Sequence, residues 1–191
     1  DALFQVRKSE KFKGSNPEFL NELDESSKLI LATIHRNENV GDPLRSILSS
    51  LIVLLNNDES RVVILPGHPN PRVQKIIRSS DFEHPRLIIS EAMDYLSFQH
   101  MLDRANLILT DSGGIQEEAA ALGKKLLVLR KTTERQELIE SGYTNLVGSD
   151  SALISEEADK KLKDSDSGIA YNPYGTGDAS KKIAEIIQSN L

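Results

Sequence analysis

Short apolar runs alternate along the chain with stretches of helical spacing. Leu107, Ile108 and Leu109, closed by Thr110, form a strand-sized run; the polar pair Asp111-Ser112 and the pair Gly113-Gly114 follow, and Ile115 to Leu122 has helical composition. Leu122-Gly123 predicts a helix stop, with the glycine in the left-handed conformation, and Lys125 to Leu129 is a second apolar run short enough to be a buried strand. The segment reads as strand, tight turn, helix and strand, joined by a parallel crossover. Lys28 to Ile34, Arg61 to Leu65 and Arg86 to Ile89 predict three more strands, and Thr144 to Val147 a last short one.

Between the strands, Leu44, Ile47, Leu48, Leu51, Ile52 and Leu55 keep helical spacing behind Asp42-Pro43. Pro71 to Ser79, Asp94 to Arg104 and Glu134 to Ser141 also read as helices, and Asp150 caps another that reaches about Lys163. Ala179, Ile183, Ile186 and Ile187 make the apolar face of a final helix. This alternation predicts a three-layer, Rossmann-like α/β domain with a mostly parallel sheet and ligands at the carboxyl edge of its strands.

At the start, Asp1 to Lys8 is helical in pattern but begins without an initiator methionine or a cap, as the interior of a longer protein would. A polar break with Gly14 follows, and Pro17 opens a short helix toward Leu23. Near the other end, Asp164 to Gly168 reads as a flexible turn, and Asn172-Pro173-Tyr174-Gly175 with Gly177-Asp178 as an ordered one.

Composition narrows the function classes. The 191 residues are enough to bury a substantial core. With 23 basic and 29 acidic residues the formal charge is −6, which does not suggest a partner in nucleic acid or anionic lipid. There is no cysteine, which excludes a disulfide scaffold and cysteine metal sites and fits a reducing cytoplasm. The apolar runs are strand-sized, so no membrane span is expected, and the first residues lack the basic-then-apolar order of a signal peptide.

The candidate chemistry follows the strands. At Asp111 to Gly114 a helix begins beside two residues that have no side chain, so a phosphate could approach its bare amides. Ser112 can add a hydroxyl donor, and Glu118, about one turn on, can accept from a ribose hydroxyl. Equally, Gly-Gly can be a plain turn and Glu117-Glu118 mere dipole compensation; spacing alone does not decide. The pattern is neither GxGxxG nor a P-loop, and the absence of a lysine after the glycines argues against ATP hydrolysis. His35, Arg36, Asn37, Glu38 and Asn39 cluster after the first strand. His35 could bind phosphate or move a proton, or could simply pair with Glu38 on a surface loop. His68, held among Pro66, Pro69 and Pro71, is a ligand contact or an incidental loop histidine. Phe98 stands where an aromatic ring can lie against a base.

These stretches together resemble the UDP-N-acetylglucosamine 2-epimerase family. The matching residues are Thr33 to Asn39 (TIHRNEN), Gly67 to Pro71 (GHPNP), Leu109 to Glu118 (LTDSGGIQEE), Thr132 to Arg135 (TTER) and Asn172 to Gly175 (NPYG), in the family's order and near its spacings. The resemblance covers the second half of the family's usual chain. It implies the C-terminal half of a two-domain GT-B fold. Residues 1–27 would then lead in from an N-terminal domain and 28–170 form the UDP-binding domain, while 171–191 hold the turn and a helix that packs here or crosses to the other half.

The implied activity interconverts UDP-GlcNAc and UDP-ManNAc by elimination and re-addition of UDP, without a cofactor or metal, in a cytoplasmic enzyme that is a homodimer at full length. Matching positions would place the diphosphate on Ser112, Gly113 and Gly114, the ribose on Glu118 and the uracil by Phe98. His35 would assist the departure of UDP, while Arg36 and His68 match contacts to a second, activating UDP-GlcNAc. The Thr133 to Arg135 loop lies near the cleft without a definite role. The family's base for the C2 proton belongs to the other domain, so this chain alone is expected to bind UDP weakly and not to turn over. Hydrolysing epimerases that release ManNAc, GT-B glycosyltransferases and a nucleotide-sugar-binding module remain alternatives.

Overall fold

The computed structural model describes residues 2–17, 20, 23–164 and 172–190. Five parallel strands form one sheet: β1 (Lys28–Thr33), β2 (Arg61–Pro66), β3 (Leu87–Ser90), β4 (Leu107–Thr110) and β5 (Leu126–Val128), in the order β3-β2-β1-β4-β5. The helices are α1 (Ala2–Arg7), α2 (Glu10–Lys13), α3 (Asp42–Asn57), α4 (Pro71–Ile77), α5 (Tyr95–Arg104), α6 (Gly113–Ala121), α7 (Gln136–Glu140), α8 (Ser151–Lys163) and α9 (Ala179–Ser189). The fold is Rossmann-like α/β, as the alternation predicts.

The strands read as nearly continuous apolar runs because both faces of the sheet are covered. Ile30, Ala32, Val63, Leu65, Leu107 and Leu109 face α3 and α8; their chain neighbours Leu29, Leu31, Val62, Ile64 and Ile108 face α5, α6 and α7. Arg61, only 3 % exposed, fastens the first of these layers at the start of β2, donating to the Leu54 carbonyl at 3.1 Å and to Asp159 at 2.6 Å. On the other face, α1 and α2 dock on α5: Arg7 pairs with Asp103 at 2.5 Å, and Phe12 stacks on His100 at 4.0 Å between centroids.

The strand order reverses between β1 and β4. From β1 the chain proceeds outward to β2 and β3, then returns to lay β4 on the opposite side of β1. Loops leaving the carboxyl ends of β1 and β4 therefore diverge and open a crevice. Thr33 and Thr110, paired in register, join their hydroxyls at 2.6 Å beneath it.

Three local expectations change. The glycines at 113 and 114 are the first turn of α6, with Ser112 at its N-cap, and neither has a positive φ. Gly123, by contrast, does take the left-handed conformation, at φ 63°. The expected strand over Thr144 to Val147 is a single parallel bridge from Leu146 to Val128, since left-handed Gly142 and Gly148 bound a segment too short to continue a ladder. The helix expected from Pro17 toward Leu23 and the turn over Asp164 to Gly168 fall largely outside the described residues. On α9 the apolar face is amphipathic as predicted, but Ile183, Ile186 and Ile187 are all more than half exposed. Among the described residues, no helix is long and apolar enough to cross a membrane.

Candidate nucleotide site

A cavity of about 620 Å³ lies at the crevice, over the carboxyl ends of β1, β2 and β4. Its lining includes His35 from the loop after β1, Phe98 from α5, and Ser112, Gly114 and Glu118 from the N-cap and body of α6. Phe98, half-buried, packs with Met93 and Ile115 as the apolar wall.

The polar wall is the N-terminus of α6. The Ser112 side chain makes no capping bond to the helix, so its first-turn amides receive no side-chain acceptor from within the chain. A Cβ added at Gly114 would meet nothing within 4 Å. Glycine there is thus required neither by φ nor by packing, although it weakens a helix by about 1 kcal/mol relative to alanine. What its lack of a side chain provides is bare backbone facing the cavity. At Gly113 a Cβ would lie 3.5 Å from an Arg135 guanidinium nitrogen, which stands beside the same turn. Arg135 is held there by Glu117, at 2.6 Å from Nε and 2.5 Å from Nη2.

Asp111 is fully buried and organises the loop after β1. Its carboxylate accepts from the amides of His35 and Arg36 and from the Asn39 side chain, whose Nδ2 also donates to the Leu129 carbonyl. Sequence reading passes over Asp111 as a polar residue in a turn. The available signal was its place directly after an apolar parallel strand, where a carboxylate is buried only when donors converge on it. Glu38 does not pair with His35; it receives Arg130, which Glu134 also holds at 2.6 Å. Those two carboxylates keep the Arg130 guanidinium more strongly protonated, Glu134 being the larger influence.

His35 and His68 stack with ring centroids 5.7 Å apart. The Asn70 amide donates to His68 Nδ1 at 3.0 Å, which leaves Nε2 as the protonated nitrogen of the neutral ring. Burial first, and then the neighbouring His35, lower the His68 pKa from its ordinary value. His68 lines a separate cavity of about 270 Å³ beside β3 rather than the larger one. The backbone of Arg36 is tied to Asp111, but its exposed side chain lies outside both cavities.

Glu118 is bracketed from α5. The Tyr95 hydroxyl donates to one carboxylate oxygen at 2.9 Å and Gln99 Nε2 to the other at 2.8 Å. Burial, with the bond to Glu118 adding to it, pushes the Tyr95 phenol up to about 12. Neither residue is singled out in the sequence, although Tyr95, Phe98 and Gln99 share one face at i, i+3 and i+4. The Thr133 to Arg135 loop gains a placement: the Thr133 hydroxyl donates to buried Gln116 of α6 at 2.9 Å. The arrangement offers bare amides to an anion, with the Glu117-paired Arg135 beside them, a carboxylate to hydroxyls and an aromatic wall to a flat ring.

A family model described as UDP-N-acetylglucosamine 2-epimerase matches residues 1–188. The chain is 37% identical over 190 residues to the Escherichia coli (strain K12) UDP-N-acetylglucosamine 2-epimerase, covering 97% of this chain and 50% of that one. The crystal structure of a putative UDP-N-acetylglucosamine 2-epimerase from Listeria monocytogenes superposes with a TM-score of 0.88 at 34% identity, over 99% of this chain and 50% of that one. The UDP-GlcNAc 2-epimerase from Neisseria meningitidis bound to UDP-GlcNAc superposes with a TM-score of 0.83 at 36% identity, over 98% and 52% respectively. The chain thus spans about half the length of these relatives.

Proposed function

Because the chain belongs to the UDP-N-acetylglucosamine 2-epimerase family, we propose that it is the C-terminal, UDP-binding half of an enzyme interconverting UDP-GlcNAc and UDP-ManNAc. The observation that carries the reading is the conjunction, in one cavity, of the uncapped α6 N-terminus, Glu118 and Phe98. The diphosphate sits on Ser112, Gly113 and Gly114, with Arg135 supplying positive charge beside Gly113. Glu118 takes the ribose hydroxyls and Phe98 lies by the uracil.

The chemistry is loss of the C2 proton and of UDP from the sugar, then re-addition of UDP and return of a proton on the opposite face at C2. Negative charge accumulates on the β-phosphate as the C1–O bond breaks. Amides, a guanidinium and the His35 ring at that point stabilise it, and His35 can supply a proton to the departing oxygen. Removal of the C2 proton needs a base held in a closed cleft. We assign that base to the half of the enzyme not represented in this chain, and the exposed isoleucines of α9 to contact with that half. Arg36, whose side chain lies outside the cavity, and His68, which lines an adjoining cavity with its ring stacked on His35, suit contact with a second, activating nucleotide sugar beside the first.

Calorimetric titration of UDP into the chain, with UMP and free GlcNAc as controls, tests the assignment. Expected is weak but saturable UDP binding, well above UMP, reduced by Ser112→Ala and by Glu118→Ala, with no turnover of UDP-GlcNAc. Equal binding of UDP and UMP would remove the diphosphate from α6, and turnover by this chain would overturn the division of labour.

A further inference from the structure

Glu118 meets the cavity with each carboxylate oxygen already holding one donor from α5. The two donors differ in kind. Tyr95 is partly exposed and lines the cavity, so it can touch a ligand directly. Gln99 is fully buried, is not part of the lining and reaches Glu118 from the protein side. Its own carbonyl oxygen, Oε1, is buried without a hydrogen-bond partner. A buried, half-satisfied carboxamide is a liability to a core that an apolar side chain of equal size would not carry. The contact that offsets that liability is the bond to Glu118.

A carboxylate has about four acceptor positions. With α5 occupying one on each oxygen, about one on each remains for the cavity, and the two oxygens stand fixed side by side. A ribose offers two neighbouring hydroxyl donors to such a pair. A 2′-deoxyribose offers one, and the acceptor left over is unpaired in a partly closed site, which discriminates more strongly than a lost contact in water. If Glu118 could rotate, its free oxygen would turn to solvent and the penalty would vanish.

We propose that Gln99 is a positioning residue that locks the Glu118 carboxylate against α5, and that this lock makes the site select nucleotides carrying both ribose hydroxyls over their 2′-deoxy counterparts. The inference rests on the nucleotide reading above and specifies its sugar.

The test is titration of UDP and 2′-deoxy-UDP into the 191-residue chain and its Gln99→Met, Tyr95→Phe and Glu118→Gln variants, with a thermal melt of each. Expected is a preference for UDP of about tenfold or more in the unsubstituted chain. In Gln99→Met, UDP affinity falls about fivefold while 2′-deoxy-UDP changes less than about twofold, so the preference collapses although the residue never touches ligand. Should Gln99→Met fail to fold, Gln99→Leu removes the same bond and is expected to lose the preference likewise, whereas Tyr95→Phe leaves the Gln99 bond in place and measures only the other donor. A folded Gln99→Met chain that keeps the preference, or that weakens both ligands equally, overturns the role of Gln99 while leaving UDP binding intact. Failure of the unsubstituted chain to bind either nucleotide overturns the nucleotide reading itself, and this inference with it.

Discussion

The Asp111 carboxylate, at the end of β4, takes the backbone amide of His35 on both of its oxygens, at 2.9 and 3.1 Å. Together with the bonds from Arg36 and Asn39, this makes one buried side chain the anchor of the whole loop after β1. His35 reaches the cavity rim because its backbone is bolted down 76 residues away in sequence.

Asp111→Asn keeps the shape but removes an acceptor oxygen and sets an NH2 group against the donors. The expected cost is about 2 kcal/mol of folding free energy, since buried donors lose their partner. UDP affinity should fall with it as the His35 loop loosens. Urea unfolding and the exchange protection of the His35 amide report the two effects; full protection in the variant would show that the anchor lies elsewhere.

Gly114→Ala separates binding from stability. The added methyl meets no atom of the chain within 4 Å, and alanine favours the helix by about 1 kcal/mol, so the melting temperature should hold or rise. UDP affinity should drop about tenfold, equivalent to about 1.4 kcal/mol, as the methyl stands where the phosphate approaches. A more stable variant with unchanged affinity would remove the α6 N-terminus from the site.

The pH dependence of stability carries a signature of His68. Its folded pKa lies below the unfolded value of about 6.5, so the unfolded chain binds the proton more readily. The contribution of His68 is therefore complete above about pH 6.5 and is lost as pH falls through the folded value. Urea unfolding at intervals from pH 7.5 to 5.5 should show this decline, and it should flatten in His68→Asn. Asp58 acts in a different window. Ser60, followed by Lys28, holds its carboxyl far below the usual range, so its contribution fades only in stronger acid.

Arg61→Met should destabilise the domain by about 3 kcal/mol, because it leaves Asp159 and the Leu54 carbonyl without their buried partner. For a chain of this size that is a fall of about 6–12 °C in melting temperature. Lys28→Met, which removes a more exposed partner of Asp58, serves as the control and should cost less than about 1 kcal/mol. Equal losses in the two variants would contradict the structural role given to Arg61.

The sheet was legible in the sequence because β1, β2, β4 and β5 are buried on both faces and so appear as local apolar runs, with the edge strand β3 a shorter and partly exposed one, and α3 because six apolar residues keep helical spacing. The glycines after β4 were legible as a special backbone but misread as a turn: Asp111 and Ser112 complete the change of direction, and the glycines already have helical φ. What remained hidden depends on residues far apart in the chain. Nothing near Asp111 announces His35, and nothing near Glu118 announces Gln99, since each bond forms only once β1, β4, α5 and α6 have packed. The apolar face of α9 could be predicted from its period, but its exposure could not, because an amphipathic pattern specifies a boundary and not a partner.

The hydroxyl pair of Thr33 and Thr110 also has a consequence in time. Joined beneath the crevice and reinforced by Asp111, the two loop bases are tied to each other and are expected to move together. On the nucleotide reading, stopped-flow mixing with UDP should show binding as a single concentration-dependent phase with fast dissociation. Any slow, concentration-independent phase in a longer protein carrying this domain then reports the movement of one body against another.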